Sequence, residues 1–120
     1  MELTMKRFGL ARRERLIRKR DYDAAYAARC STADKHLILY ARSNGLAWSR
    51  IGRSVAKRWG TAVARNRFRR TCHEAFRQHK HEIPVGYDYI IIPRRSIALS
   101  LEDVAESLKT LANKLAKRDT

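Results

Sequence analysis

Acidic residues are scarce in this 120-residue chain, and none occurs between Lys35 and His73. Against 12 Asp and Glu stand 27 Lys and Arg, a formal net charge of +15. Self-repulsion on that scale opposes compaction and points to a polyanionic partner. Cysteine is nearly missing too. Cys30 and Cys72 lack Cys-x-x-Cys spacing and read as reduced thiols, Cys72 as a small buried hydrophobe. No apolar run approaches a membrane span. No apolar signal-peptide core follows the basic residues Lys6, Arg7, Arg12 and Arg13. Nor is there a basic amphipathic helix with a large exposed apolar face for an anionic membrane. A cytoplasmic protein without a membrane partner is expected. Catalytic equipment is absent as well: there is no phosphate-cradling glycine loop, no Ser/His/Asp set and no dense carboxylate pair for two-metal hydrolysis. His79-Lys80-His81-Glu82 resembles a metal cluster, but a spacing of two sends the histidines to different helix faces. No protein metal site and no firmly bound cofactor are expected.

What remains is enough for one domain. Apolar residues make up 44% of the chain, sufficient for a core. No repeat or linker divides residues 1–120, and residues 1–18 read as a basic, partly mobile arm that orders on a partner. Arg20 to Ala28 reads as a short helix with Tyr22, Ala25, Tyr26 and Arg29 on one side. Cys30 to Asp34 reads as a polar connection. His36 to Arg42 alternates as a strand, and Asn44-Gly45 is a hairpin signal. A second strand, about Ala47 to Val55, is expected antiparallel to the first. Arg53 falls on its more apolar face, and Gly52 weakens it or marks a bulge. A long helix starts at or beside Thr61 and reaches about His81. Tyr87 to Ile92 reads as a buried strand. Ser100 and Asp103 form a capping arrangement for a last helix with the apolar stripe Leu101, Val104, Ala105, Leu108, Leu111, Ala112 and Leu115. This is an α+β fold, and a small sheet covered by helices on one side is its natural packing.

The long helix carries the sharpest signal. Six Lys or Arg residues fall within the fourteen positions from Lys57 to Arg70. At about 100° per residue, Asn66, Arg69, Arg70, His73 and Arg77 share one arc, while Ala64, Phe68, Cys72, Ala75 and His79 share another. Arg67, Glu74 and Gln78 make a third, solvent-like side. A solvated face is the bland reading. Against it, the Arg65/Arg69 and Arg67/Arg70 pairs repel, compensating carboxylates are nearly absent, and guanidinium groups suit bidentate phosphate contact. Lys57 and Arg58 precede the helix start, where free N–H groups and the dipole favour an anion. Gly60 is expected to supply a left-handed turn. Trp59 either stacks on a base or caps the core. Tyr22, Tyr26 and Tyr40 are candidate stacking platforms for unpaired bases, or core.

The run from Gly60 to Arg77, GTAVARNRFRRTCHEAFR, preceded by Ser54-Val55-Ala56-Lys57-Arg58, resembles the signature of the bacterial ribonuclease P protein family. The similarity extends over most of the chain, through the two spaced aromatics Tyr22 and Tyr26, the strand Leu37 to Tyr40, and Asp88 to Ile92. The resemblance implies a compact α/β sandwich, a mixed sheet packed by helices in the order α-β-β-β-α-β-α. It also implies a left-handed β-α-β crossover, a handedness that general connection rules disfavour. It implies that Lys57, Arg58, Arg65, Asn66, Arg67, Arg69, Arg70, His73 and Arg77 contact the catalytic RNA subunit. Tyr22, Tyr26 and Tyr40 would line a cleft for the single-stranded 5′ leader of precursor tRNA. The RNA would hold the catalytic Mg²⁺ ions, and no obligate protein partner is implied. Tyr22 and Tyr26 carry hydroxyls where the family usually has Phe, a mild departure, and three further positions depart from the family pattern. Thr61 stands for the usual Asn but can still cap the helix. His73 stands for an Arg, which makes one RNA contact weaker or pH-dependent. Arg53 stands where an apolar strand residue is common.

A structural RNA-binding protein, such as a ribosomal component, fits the composition equally well. An autonomous nuclease would cleave without RNA, and a DNA-binding protein would need more base-reading variety than an arginine row offers.

Overall fold

A computed structural model describes residues 11–94 and 98–119. Its elements follow the expected order: α1 (Lys19–Ala27), β1 (Ser31–Ala33), β2 (Leu37–Ser43), β3 (Arg50–Arg53), α2 (Ala62–His79), β4 (Tyr87–Pro93) and α3 (Leu101–Asp119). Residues 31–33, expected in a polar connection, instead form β1 at the sheet edge. Ser31, Thr32 and Ala33 pair antiparallel with Tyr40, Leu39 and Ile38. Backbone pairing with an apolar neighbour makes this strand, and polar composition hid it.

The sheet order is β1-β2-β4-β3. The expected hairpin between β2 and β3 is therefore wrong. β4 lies between them, antiparallel to β2 with Tyr40 opposite Ile90, and parallel to β3 with Ile51 opposite Tyr89. Burial decides the matter. Tyr87 to Pro93 is mostly apolar and buried on both faces, and takes the centre, where both faces are covered. Asn44-Gly45 still turns the chain, with Gly45 at φ 73°, but the turn opens a connection to the far edge. β3, α2 and β4 form the β-α-β unit.

Helices cover both faces of this sheet, not one. Phe68, Cys72, Ala75 and Phe76 of α2 and the stripe Val104, Leu108, Leu111 and Leu115 of α3 bury Leu37, Leu39, Ile51, Tyr89 and Ile91. On the opposite face α1 sets Ala25, with Leu16, against Ile90. Two caps fix the long helices. Thr61 Oγ1 accepts the Ala64 N–H at 3.1 Å. Ser100 and Asp103 exchange bonds at 3.0 and 3.3 Å, as their spacing predicts.

Part of the expected mobile arm is docked. Residues 1–10 lie outside the described residues. Arg12–Glu14 forms a 3-10 turn, Arg15 bridges Ile51, and the Leu16 N–H donates to the Ile51 carbonyl at 2.9 Å. The Trp48 indole N–H donates to the Arg13 carbonyl at 2.9 Å, and Lys80 pairs with Glu14. The segment thus runs along the outer edge of β3.

Candidate RNA interface

The basic helix α2 buries its apolar arc as the periodicity predicts, but its cations do not form one free row. Asn66, Arg67 and Arg70 are exposed, whereas Arg65, Arg69, His73 and Arg77 are half-buried. Arg65 Nη1 donates to the carbonyls of Gly60 at 2.6 Å and Lys57 at 3.4 Å, so this guanidinium braces the turn before the helix. Arg69 Nη1 donates to Asn66 Oδ1 at 2.9 Å. Arg77 Nε donates to Glu74 Oε1 at 3.1 Å, and its Nη2 to Oε2. That hydrogen bond holds the Glu74 carboxyl below its usual range. The open cationic face therefore centres on Arg70, from the expected arc, and Arg67, from the expected solvent-like side. A cleft of about 440 Å³ lies there, with Arg15, Arg67, Arg70 and His73 among its walls.

Lys57 and Arg58 are exposed on the 3-10 turn ahead of α2. Gly60 is extended, at φ 159° and ψ −173°, rather than left-handed. Trp59 is half-buried beneath the Arg58 guanidinium, 5.4 Å from its ring centroid.

His73 departs from expectation. Burial, together with Arg53 and Arg15, pushes its pKa down to about 4, so the ring is neutral at physiological pH. Its Nε2 and the Nε of Arg53 are buried without a hydrogen-bond partner. Arg53, the odd residue on the apolar face of β3, points its charge at His73 and Cys72 of α2.

The three tyrosines lie together on the other face of the sheet, flanking the Ala25–Ile90 contact. Tyr26 and Tyr40 meet edge to face, with centroids 5.0 Å apart and planes at 84°. Tyr22 lies over Gly52, where an added Cβ would stand 2.7 Å from the tyrosine oxygen. All three rings are half-buried, so each is anchored yet keeps an accessible side. The three tyrosines and the basic helix thus occupy opposite faces of the sheet.

A second set of groups was not legible as a unit. Asp88 is 0% exposed and takes Arg50 as a fork, Nε to Oδ1 at 2.8 Å and Nη2 to Oδ2 at 2.7 Å. Asn44 Nδ2 donates to Oδ1 at 2.9 Å, and Arg42 approaches at 3.5 Å. Arg50 also reaches Asp21 of α1 at 3.5 Å. One buried carboxylate thereby ties β2, β3 and β4, and through Arg50 also α1. The available signal was a lone acid inside the apolar run Tyr87 to Ile92.

A family model described as Ribonuclease P matches residues 10–116. The chain belongs to the ribonuclease P protein family. It is 37% identical over 93 residues to the ribonuclease P protein component of Thermotoga maritima, covering 78% of this chain and 80% of that one. With the Brevibacillus brevis protein of the same name it shares 39% over 99 residues, 81% and 79% of the two chains. The solved ribonuclease P protein from Thermotoga maritima superposes with a TM-score of 0.76 at 31% identity, covering 84% of this chain and 96% of that one. The Staphylococcus aureus ribonuclease P protein gives 0.73 at 30%, covering 87% and 95%. As a ribonuclease P protein, this chain is a subunit of the ribonucleoprotein endonuclease that removes leaders from precursor tRNA. The ribosomal alternative is not favoured.

Proposed function

We propose that this chain docks on the catalytic RNA through Arg67, Arg70, Lys57 and Arg58, and seats the 5′ leader of precursor tRNA against Tyr22, Tyr26 and Tyr40. The observation that carries the reading is the division of the surface into two partner faces. One presents guanidinium groups suited to phosphates, the other anchored half-exposed rings suited to unpaired bases. Arg65, Asn66, Arg69, His73 and Arg77 then act mostly as supports that fix the turn and the helix surface.

Mg²⁺ belongs on the RNA in this reading. The donor set of the protein does not fit the ion, because the carboxylates near its two faces are engaged by cations. Asp88 is held by Arg50, and Glu74 by Arg77 and Gln78. The protein contributes affinity and placement, and the hydrolytic step is assigned to the RNA. Among the described residues no helix is long and apolar enough to cross a membrane. A cytoplasmic setting matches a tRNA substrate.

The test is binding to a bacterial ribonuclease P RNA across a salt series. Arg67→Ala with Arg70→Ala weakens binding and flattens the salt dependence by about 1.5 in log–log slope, the loss of two phosphate contacts. Unchanged affinity and slope overturn the docking assignment. Tyr26→Ala weakens leader-bearing precursor by about 1–3 kcal/mol and leaves mature tRNA unaffected. Equal losses overturn the cleft assignment.

A further inference from the structure

The segment before α1 builds a second cationic cleft that the docking helix does not contain. It has a volume of about 550 Å³, and its walls include Arg12, Arg13, Arg18 and Arg50. Five arginines line it against one carboxylate, Asp21, which already faces Arg50 at 3.5 Å. Arg12, Arg13 and Arg18 are exposed. Arg13 lies over the Trp48 ring, 4.8 Å from its centroid, while its carbonyl accepts the indole N–H. That pairing holds the Arg13 backbone and side chain in place without neutralising the charge.

This cleft does not coincide with the tyrosine cleft. On α1, Ala25 faces the sheet, Tyr26 follows it by about 100° and Asp21 precedes it by about 40° in the other sense. The tyrosines and the arginines therefore flank α1 on opposite sides. The arginine cleft connects instead to the docking helix, because Arg15 lines both it and the cleft beside Arg67 and Arg70. Arg15 and Leu16 run along the outer edge of β3, so cationic surface passes from α2 around that edge to the far flank of α1. Only Glu14 interrupts it in sequence, and Glu14 is paired with Lys80.

We infer that this belt is a continuous track for the sugar-phosphate backbone of the catalytic RNA, extending the docking surface from Arg67 and Arg70 across Arg15 to Arg12, Arg13 and Arg18. The inference rests on the docking role of α2 proposed above. A path bent around a strand edge suits folded RNA, whose backbone follows a curved surface through phosphate contacts without base readout. It does not suit the leader, whose bases need the rings on the other flank.

The experiment measures binding of the full chain to a bacterial ribonuclease P RNA over a salt series, without tRNA in one arm and with leader-bearing precursor tRNA in a second. Arg12→Gln with Arg18→Gln changes two exposed side chains and leaves the buried contacts intact, which circular dichroism checks. The expected result is roughly a tenfold weaker affinity near physiological salt and a slope shallower by about 1.5. Unchanged affinity and slope overturn the track. A loss that appears only with leader-bearing precursor also overturns it, because the cleft is then a leader seat. Arg67→Ala with Arg70→Ala, measured in parallel, separates the two ideas. If that pair is silent while Arg12→Gln with Arg18→Gln is not, the α2 docking role fails and the arginine cleft stands alone.

Discussion

The Tyr22 hydroxyl accepts the backbone N–H of Arg53 at 3.2 Å, joining α1 to the edge strand over a glycine. One residue thereby serves two purposes. Its half-buried ring belongs to the proposed leader site, and its oxygen secures the strand whose other face supports α2. A variant that removes only the oxygen separates these roles. Tyr22→Phe is expected to lose about 1 kcal/mol of stability, the usual worth of such a bond, and to keep leader affinity. Chemical denaturation and precursor binding check the two halves.

Gly52→Ala attacks the same contact from below. The new Cβ would stand 2.7 Å from the Tyr22 oxygen, 2.8 Å from its Cζ and 3.0 Å from Leu16 Cβ. The ring must leave its seat. The expected outcome is a loss of about 1–3 kcal/mol in stability together with weaker leader discrimination. A variant that matches wild type in both measurements contradicts the geometry.

Arg50→Ala strips the fork from Asp88 and leaves a buried carboxylate with only Asn44 and a distant Arg42. Removing one partner of a buried pair costs about 3–5 kcal/mol. The expected result is a large drop in the denaturation midpoint. Arg50→Ala with Asp88→Asn recovers part of it, since the second change removes the unpaired charge.

His73 sets a pH window. Its folded pKa of about 4 lies below the ordinary value of 6.5, so the folded chain resists protonation more than the unfolded chain does. Above pH 6.5 both states are neutral there and the residue is silent. Between about 6.5 and 4 the unfolded state takes up the proton first, and stability falls as pH drops. His73→Asn is expected to flatten that part of the stability profile. RNA affinity between pH 7 and 8 should not respond to this side chain.

Much of this arrangement was readable from residue spacing. The caps at Thr61 and Ser100, the buried arc of α2 and the stripe of α3 follow from local pattern, whereas the grouping of the three tyrosines was implied by the family resemblance. What failed depended on distant neighbours. The Asn44-Gly45 turn signalled a hairpin, yet strand order was decided by the apolar run at residues 87–93, more than forty positions away. The arginine arc was right as angles, but which guanidinium groups stay open depended on carbonyls at Lys57 and Gly60 and on Glu74. No periodicity in residues 12–18 announced that they line a strand edge.

Arg65 gives a sharp case of that last kind. Because it braces two carbonyls of the turn, charge alone cannot replace it. Arg65→Lys is expected to increase amide exchange at Trp59 and Gly60 in the free protein and to weaken RNA binding several-fold through the displaced Lys57 and Arg58. If Arg65→Lys binds RNA as wild type does, with the turn unchanged, the bracing role is wrong.

The central position of β4 also governs the order of events during synthesis. Neither β2 nor β3 has its inner neighbour until Pro93 has left the ribosome. A nascent chain ending at His73 would already carry the whole acid-free stretch, with no central strand on which to close. The apolar arc of its most cationic helix must wait for the strand that completes the sheet.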